Sequence, residues 1–282
     1  MLKPALYIAA TPIGNLQDVT LRVIETLQQV TMIAAEDTRH SQIFLQSINV
    51  TGKKMLSCHN YNEAERADLI AAEIEAGGAV ALISDAGTPL ISDPGFKVVK
   101  ALAARGIDII ALPGPCAAIT ALCVSGLPTD KFFFYGFLPV KEKECLEVLG
   151  SFKDSQVSTI FYESPRRIAE TLSRMAKIYP EREAALCREL TKTFETIYRG
   201  SVAELLHTAQ SDENLSRGEL VLILGGAGHQ SEPGLTPKAE AALSQMLAEG
   251  MSVKGASRVL SDLLGLKSKE VYARALELKN AR

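Results

Sequence analysis

Short apolar runs alternate with amphipathic stretches along the first half of the chain. Short strands separated by helices indicate parallel crossover units, and nearly continuous apolar runs are typical of strands covered on both faces. We therefore predict a parallel α/β domain in this half. Its predicted strands are Ala5–Ala10, Met32–Ala35, Ala79–Ile83 and Ile107–Leu112, and its predicted helices are Val19–Val30, Ser41–Ser47, Glu63–Ala76, Gly95–Arg105 and Ala117–Ser125.

The pattern changes between Ser125 and Asp130, where we predict a domain boundary. From there on, apolar runs follow one another with fewer helices between them, which indicates a sheet of mixed strand directions. The predicted strands are Phe132–Phe137, Thr159–Tyr162, Ala184–Arg188, Glu195–Tyr198 and Glu219–Leu224, and the predicted helices are Lys141–Leu149, Pro165–Ile178 and Val202–Thr208.

A stretch rich in glycine and proline, 225–237, predicts a linker to an all-helical tail. From Lys238 onward the chain carries eight basic and five acidic side chains. The periodicity leaves two interpretations open, a small helical cap with a solvated face or a helix-turn-helix-like module that binds nucleic acid. The predicted tail helices are Lys238–Leu247, Val253–Leu264 and Ser268–Leu278, and the predicted domains are 1–126, 127–228 and 236–282.

The composition is that of an ordinary globular protein, with 47% hydrophobic residues and a net charge of −3 over 282 residues. Because a global basic field is absent, any polyanion must be bound by a local patch. The five cysteines and four histidines show no metal-ligand spacing, so we expect no metal site, no disulfide framework and a cytoplasmic location. Pro113, Gly114 and Pro115 interrupt the longest uncharged stretch, Ile109–Thr129, which therefore predicts buried elements and no membrane span.

Four turns rich in small and polar residues follow predicted strands, at 11–16, 35–40, 84–95 and 113–118. In an open α/β sheet, ligands bind outside the carboxyl ends of the strands, and small residues let the backbone approach a ligand closely. The turns therefore predict a binding cleft. The chain has no G-x-G-x-x-G turn after its first strand, no P-loop and no G-x-S-x-G motif, which disfavours an ordinary dehydrogenase, a P-loop nucleotidase and a serine hydrolase.

The residue types in these turns narrow the class of ligand. Few basic residues occur there, so a triphosphate is a poor ligand. Backbone groups and the carboxylate of Asp85 suit a ligand with an adenosine and an amino-acid end. Asp85 equally suits a turn cap through its own backbone, and the sequence leaves both roles open.

Seven sequence blocks carry a resemblance to a known family. In chain order they are TPIGNL, AEDTRH, SDAGTPLISDPG, PGPCAAITAL, FYESPRR, CRELTKTFE and GELVLIL. Together they closely resemble the tetrapyrrole methylase superfamily of S-adenosylmethionine-dependent methyltransferases, and within it the group that methylates the 2′-hydroxyl of a cytidine ribose in 16S ribosomal RNA. The tail resembles the helix-turn-helix domain that ends members of that group.

This resemblance implies two α/β domains with S-adenosylmethionine in the cleft between them, commonly in a homodimer. The RNA substrate would be naked 16S rRNA or the assembled small subunit. The loop Ser84–Gly87 departs from the G-G-D-P sequence that relatives have at this place. The resemblance therefore implies that the backbone of this loop, more than its side chains, contacts the cofactor. The cofactor-binding residues implied by the matching blocks are Ile13, Ser84, Asp85, Gly87, Thr88, Cys116, Ala117, Tyr162, Glu163 and Glu189.

Methylation of a ribose adds a requirement for proton removal, because a 2′-hydroxyl is a weak nucleophile. The candidate catalytic groups are Asp37, Glu36 and Glu189, or a water that they hold, and the base is left unassigned. His59 suits a base or a structural role equally. Candidate phosphate contacts are Arg39, Arg166, Arg167 and Lys192, each of which equally suits a salt bridge or a solvated surface.

Two other functions stay open. One is a methyltransferase acting on a small tetrapyrrole, which has no use for a basic helical tail. The other is a non-catalytic module that binds S-adenosylmethionine or RNA, which the polar residues 36–40 beside the cleft disfavour.

Overall fold

A five-stranded parallel sheet forms the first part of the computed structural model, which describes residues 2–227, 237–264, 266 and 268–280. The strand order is β3-β2-β4-β1-β5, and every pairing is parallel, as predicted from the apolar runs. The strands are β1 Leu6–Ala9, β2 Met32–Ala35, β3 Lys54–Ser57, β4 Val80–Ile83 and β5 Ile109–Leu112, and the helices are α1 Leu21–Gln29, α2 Thr38–Ser47, α3 Glu63–Glu75, α4 Phe96–Ala104 and α5 Ala117–Ser125.

Two local features of this sheet differ from the sequence prediction. Strand β3 was not predicted, because it begins with an exposed lysine and lies at the sheet edge, where the apolar pattern is weak. Helix α2 begins at Thr38 and not at Ser41, because the carboxylate of Asp37 accepts a hydrogen bond from the backbone N–H of Arg39 and caps the helix.

A second five-stranded sheet follows, with the order β6-β7-β10-β8-β9. In this sheet β6 and β7 pair in parallel and the other pairings are antiparallel, so the predicted mixed sheet is confirmed. The strands are β6 Phe132–Phe137, β7 Ser158–Glu163, β8 Glu183–Arg188, β9 Thr196–Ser201 and β10 Leu220–Leu224, and the helices are α6 Glu142–Ser151, α7 Ile168–Ala176 and α8 Val202–Ser211.

Helix α5 joins the two sheets into one compact unit, Met1–Gly226. Although α5 follows the last strand of the first sheet, its buried residues Ala118, Ala121 and Leu122 share a core with β7, β8 and β10 of the second sheet. Small side chains on this helix permit the close approach. The domain boundaries at 126 and 228 stay a proposal.

The second compact unit, Ala227–Arg282, has its own hydrophobic core. Its helices are α9 Pro237–Ala248, α10 Val253–Leu264 and α11 Ser268–Asn280, close to the predicted bounds. Most of the predicted linker lies outside the described residues. Within the described part of the chain, no helix has the length and apolar character needed to cross a bilayer.

Candidate active site

The loops at the carboxyl edge of the parallel sheet are tied together by hydrogen bonds. Thr11 and Gly87 exchange backbone hydrogen bonds of 2.9 and 3.1 Å, which join the loop after β1 to the loop after β4. The hydroxyl of Thr88 donates to the carbonyl of Pro115 at 2.8 Å, which joins the loop after β5. Three of the four turns predicted to form a cleft therefore form one continuous rim.

Gly87 is required for this arrangement. Its φ is +84°, a conformation that L side chains rarely adopt, and a Cβ there would lie 3.1 Å from Cγ2 of Ile13. The loop after β4 thus lies directly against the loop after β1, and a side chain at this position would disrupt both.

A cavity of about 400 Å³ opens between this rim and the second sheet, within the size range of small-molecule sites. We call it the first cavity. Eight of the ten predicted cofactor residues line it: Ile13, Asp85, Gly87, Thr88, Cys116, Ala117, Tyr162 and Glu163. Of the other two, Ser84 is buried inside its own loop, with its hydroxyl donating to the carbonyl of Gly87 at 2.9 Å. Glu189 lies outside the lining.

Other residues of the first cavity were not among the predicted cofactor residues, although four of them lie in the predicted turn 84–95. They come from the loops after β4 and β7, from β6, and from β8, β10 and the loops that adjoin those two strands, whose contributions depend on how the second sheet packs. They are Ala86, Ile91, Ser92, Asp93, Phe137, Ser164, Pro165, Cys187, Leu190, Gly218, Glu219, Leu220 and Val221.

The N-terminus of α5 faces the first cavity and can bind an anionic group. Cys116 is the N-cap and its side chain makes no capping hydrogen bond, while Ala117 lines the cavity. The hydroxyl of Tyr162 accepts a hydrogen bond from the N–H of Ala118 at 3.2 Å. Burial raises the pKa of Tyr162, so this phenol is neutral. The remaining N–H groups of the first turn and the helix dipole favour a carboxylate here.

Acidic side chains gather around the loop after β4, which lines the first cavity. Asp85 accepts a hydrogen bond from the backbone N–H of Asp37 at 3.2 Å, which positions its carboxylate. Burial, with further contributions from Glu36 and Asp85, raises the pKa of Asp93 to about 6. Partial burial, followed by repulsion from Asp85, also raises the pKa of Glu36. This part of the cavity is therefore electronegative and suits a cationic ligand.

The raised pKa of Asp93 predicts a pH-dependent stability. The native carboxyl binds its proton more tightly than an unfolded one of pKa 3.8, so its charge destabilises the fold above about pH 6 and has no effect below about pH 4. We expect Asp93→Asn to stabilise the protein by about 1 kcal/mol at neutral to alkaline pH, after solvent screening, and to leave its stability at low pH unchanged. Melting temperatures of the wild type and of Asp93→Asn, measured below about pH 4 and above about pH 6, test this prediction. Equal shifts at both would assign the effect to altered packing and not to charge.

Asp37 and Arg39 pair with each other and line no described cavity. Both carboxylate oxygens of Asp37 accept hydrogen bonds from the guanidinium of Arg39, at 3.3 and 3.2 Å. Hydrogen bonds from Arg39 lower the pKa of Asp37, which weakens it as a base. The side chain of Arg39 is 91% exposed. These contacts stabilise the start of α2.

The predicted phosphate contacts of the second sheet have different environments. Arg166 is exposed. Arg167 donates to the carbonyls of Leu138 and Pro139 at 3.0 and 3.1 Å, and its Nε lies 3.5 Å from the buried carboxylate of Glu163. Arg167 thus supports the loop after β6, whereas Arg166 pairs with none of the described residues and is available to a substrate.

Lys192 joins two loops of the second sheet through an ion-pair network and packs against the loop after β1. Its Nζ lies 2.8 Å from carboxylate oxygens of both Glu189 and Glu219, and the same Glu189 oxygen accepts the backbone N–H of Glu219 at 2.9 Å. A Cβ on Gly14, after β1, would lie 2.4 Å from Cγ of Lys192, so the lysine stem packs directly on that glycine. The hydrogen bond of Lys192 and its charge help to lower the pKa of Glu189 against the opposing effect of burial.

A second cavity of about 340 Å³ adjoins the first. The two share Ile13, Asp85, Ala86 and Glu219 in their linings. His59 lines neither; its Nε2 lies 3.2 Å from the side-chain nitrogen of Asn62, and its Nδ1 is buried without a partner. Among the residues that the structure describes, no cluster of histidine, cysteine and carboxylate groups could hold a metal ion.

Comparison with family models tests the family resemblance that the seven sequence blocks indicated. The model of the Tetrapyrrole (Corrin/Porphyrin) Methylases matches residues 5–206. The chain belongs to this family. A second model, the RsmI C-terminal HTH domain, matches residues 233–279 of this methylase and favours the helix-turn-helix interpretation of the tail.

Curated relatives match the methylase over nearly its whole length. Ribosomal RNA small subunit methyltransferase I of Haemophilus influenzae is 45% identical over 95% of this chain and 94% of that protein. The protein of the same name from Pasteurella multocida is 43% identical over 96% of each chain. The prediction that this chain is a methyltransferase is thereby confirmed.

Solved structures share the fold of the methylase at low sequence identity. The methyltransferase CobJ has a TM-score of 0.59 and 18% identity, over 79% of this chain and 94% of that one. Uroporphyrin-III C-methyltransferase from Thermus thermophilus, solved in complex with S-adenyl homocysteine, has a TM-score of 0.53 and 15% identity, over 78% and 97%. The predicted fold of two α/β sheets followed by a helical tail is confirmed.

Proposed function

We propose that this methylase transfers the methyl group of S-adenosylmethionine to the 2′-hydroxyl of a cytidine ribose in 16S ribosomal RNA. The observation that carries the proposal is that relatives named ribosomal RNA small subunit methyltransferase I match both the unit holding the first cavity and the helical tail. A methyltransferase for a small tetrapyrrole would account for the first unit alone.

The first cavity fits S-adenosylmethionine, whose bound sulfonium supplies an electrophilic methyl group. The N-terminus of α5 suits the cofactor's carboxylate. The carboxylates of Asp85 and Asp93 attract its positive charge, and Leu190 and Val221 offer apolar surface to its adenine. The protein's main contribution is to hold nucleophile and methyl group in line.

Asp85 is the group that we propose accepts the proton of the 2′-hydroxyl as that oxygen attacks the methyl carbon and the carbon–sulfur bond breaks. It lines both cavities, and within the described residues it forms no ion pair. Asp37, Glu36 and Glu189, the bases suggested by the sequence, line neither cavity. Asp37 acts indirectly, because its backbone N–H holds the Asp85 carboxylate.

We further propose that the enzyme is cytoplasmic, is a homodimer, and acts on rRNA within the assembled small subunit. A net charge of −3 provides no general electrostatic attraction for free RNA. This favours a structured particle as the substrate. Arg166, which is exposed, and Arg39 are available for phosphate contacts on that particle.

The function is tested with labelled S-adenosylmethionine and three acceptors: small subunits from cells lacking the gene, naked 16S rRNA, and a porphyrinoid. We expect label on the subunit, and mass spectrometry of the product should show one additional ribose methyl on a cytidine. Label on the porphyrinoid alone would support the tetrapyrrole alternative. Binding of the cofactor with no transfer to any acceptor would support a sensing module.

Deleting Leu235–Arg282 is expected to leave cofactor binding intact and to weaken use of the RNA substrate. The first unit contains the whole first cavity and its own cores, so it should fold alone. For every phosphate that the tail neutralises, its removal should flatten the slope of log affinity against log salt by about 0.7–0.9. Calorimetry with the cofactor and salt-dependent RNA binding measure the two effects. A truncated enzyme with the wild-type rate and salt slope would show that the tail is only a cap.

A further inference from the structure

The second cavity adjoins the first beside Asp85. Its own lining comes from the loop after β1, from α2 and from Lys192, and its boundary with the first cavity is formed by Ile13, Asp85, Ala86 and Glu219. Eight residues matching the family's cofactor blocks line the first cavity, so the second is left for the group that receives the methyl.

One face of α2 forms a wall of the second cavity. His40, Ile43, Phe44 and Ser47 are spaced by three and four residues, so they lie on the same side of the helix. Ile43 is 70% exposed, and Leu16, which also lines the cavity, is 52% exposed. These apolar side chains offer a flat, uncharged ligand a surface on which to stack.

The charges in the second cavity disfavour a phosphate and favour a neutral ligand that donates hydrogen bonds. Lys192 is already bound by the carboxylates of Glu189 and Glu219. Asp85 and Glu219 add negative charge at the boundary with the first cavity. Carboxylates accept hydrogen bonds from the exocyclic amine of cytosine. Because Asp85 is assigned to proton transfer, Glu219 is the carboxylate at this boundary that would accept such a hydrogen bond.

We propose that the second cavity binds the target nucleoside, with its base against the α2 face and its ribose at the boundary beside Asp85. This inference rests on the proposed function and extends it to the substrate site. Proteins that read RNA bind unstacked bases from single-stranded regions against protein side chains, so the target cytidine would be unstacked from its neighbours when it enters the cavity.

The test compares Ile43→Glu with Leu21→Glu. Both residues are exposed and apolar, at 70% and 79%, so neither change should unfold the protein, and both add the same charge; Leu21 lies on α1 and lines neither cavity. We expect Ile43→Glu to lower kcat/KM for the small-subunit substrate by about 10- to 100-fold, the usual loss when one large aliphatic side chain no longer buries its apolar surface, without changing cofactor affinity. Leu21→Glu should match the wild type.

Three outcomes contradict the inference. If the two variants have the same kcat/KM, Ile43 does not contact the nucleoside. If Ile43→Glu loses cofactor affinity, measured by calorimetry, the second cavity belongs to the cofactor. A wild-type enzyme that methylates a porphyrinoid and no RNA would overturn the proposed function itself, and with it the nucleoside site, so the two failures are distinguishable.

Discussion

Asp85→Asn is expected to lower the single-turnover rate of methylation by about 10²–10⁴, the usual contribution of a general base. Asparagine preserves the shape of the side chain and can still accept the hydrogen bond from the N–H of Asp37. The loss of the Asp85 charge should weaken cofactor binding only modestly, because Asp93 in the same cavity still attracts the sulfonium, while the group that receives the 2′-hydroxyl proton is removed. Rapid-quench methylation of the small subunit at saturating cofactor measures the rate, and calorimetry measures the affinity.

Asp37→Asn is the matched control for this prediction. It removes the exposed ion pair with Arg39, which is worth about 0–1 kcal/mol, and asparagine still caps α2. We expect a near-normal rate and a small fall in melting temperature. If Asp37→Asn loses most of its methylation rate and Asp85→Asn keeps a normal rate, then Asp37 and not Asp85 is the general base.

The parallel sheet and the rim of the cavity could be predicted from the sequence for a physical reason. Strands buried on both faces are continuous apolar runs, and ligand sites in such sheets follow the strand ends. The blocks after β1, β4 and β5 therefore contained most of the cofactor residues on that side. Edge strand β3, which begins at an exposed Lys54, has no such run and was missed.

The residues that the second sheet contributes to the first cavity could not be predicted from strand ends. Its strands are mostly antiparallel, so Leu220 and Val221 reach the first cavity from within β10 and not from a loop after a strand end. The ion pair between Lys192 and Glu219 joins residues far apart in the chain. The sequence identifies Lys192 as a candidate for substrate contact, and only the folded chain shows that Glu219 binds it.

Ala117→Phe is expected to weaken S-adenosylmethionine binding by about 100-fold or more, because the larger ring would occupy the cavity beside the N-terminus of α5. Ala117 packs at the partly buried edge of the core that α5 shares with the second sheet and also lines the cavity, so the added ring can extend into the cavity. The melting temperature in the absence of cofactor should therefore stay near that of the wild type.

Ile119→Phe provides the control on the same helix. Ile119 is 45% exposed and does not line the first cavity, so this variant changes the helix surface and leaves the site open. Calorimetry should show wild-type affinity for Ile119→Phe and little or no binding for Ala117→Phe. The two variants place the same aromatic ring at positions two residues apart on α5. A difference in their cofactor affinities must therefore come from the side of the helix on which the ring lies. Equal, undiminished affinities would remove the cofactor from the first cavity and, with it, the role of Asp85 at the boundary between the two cavities.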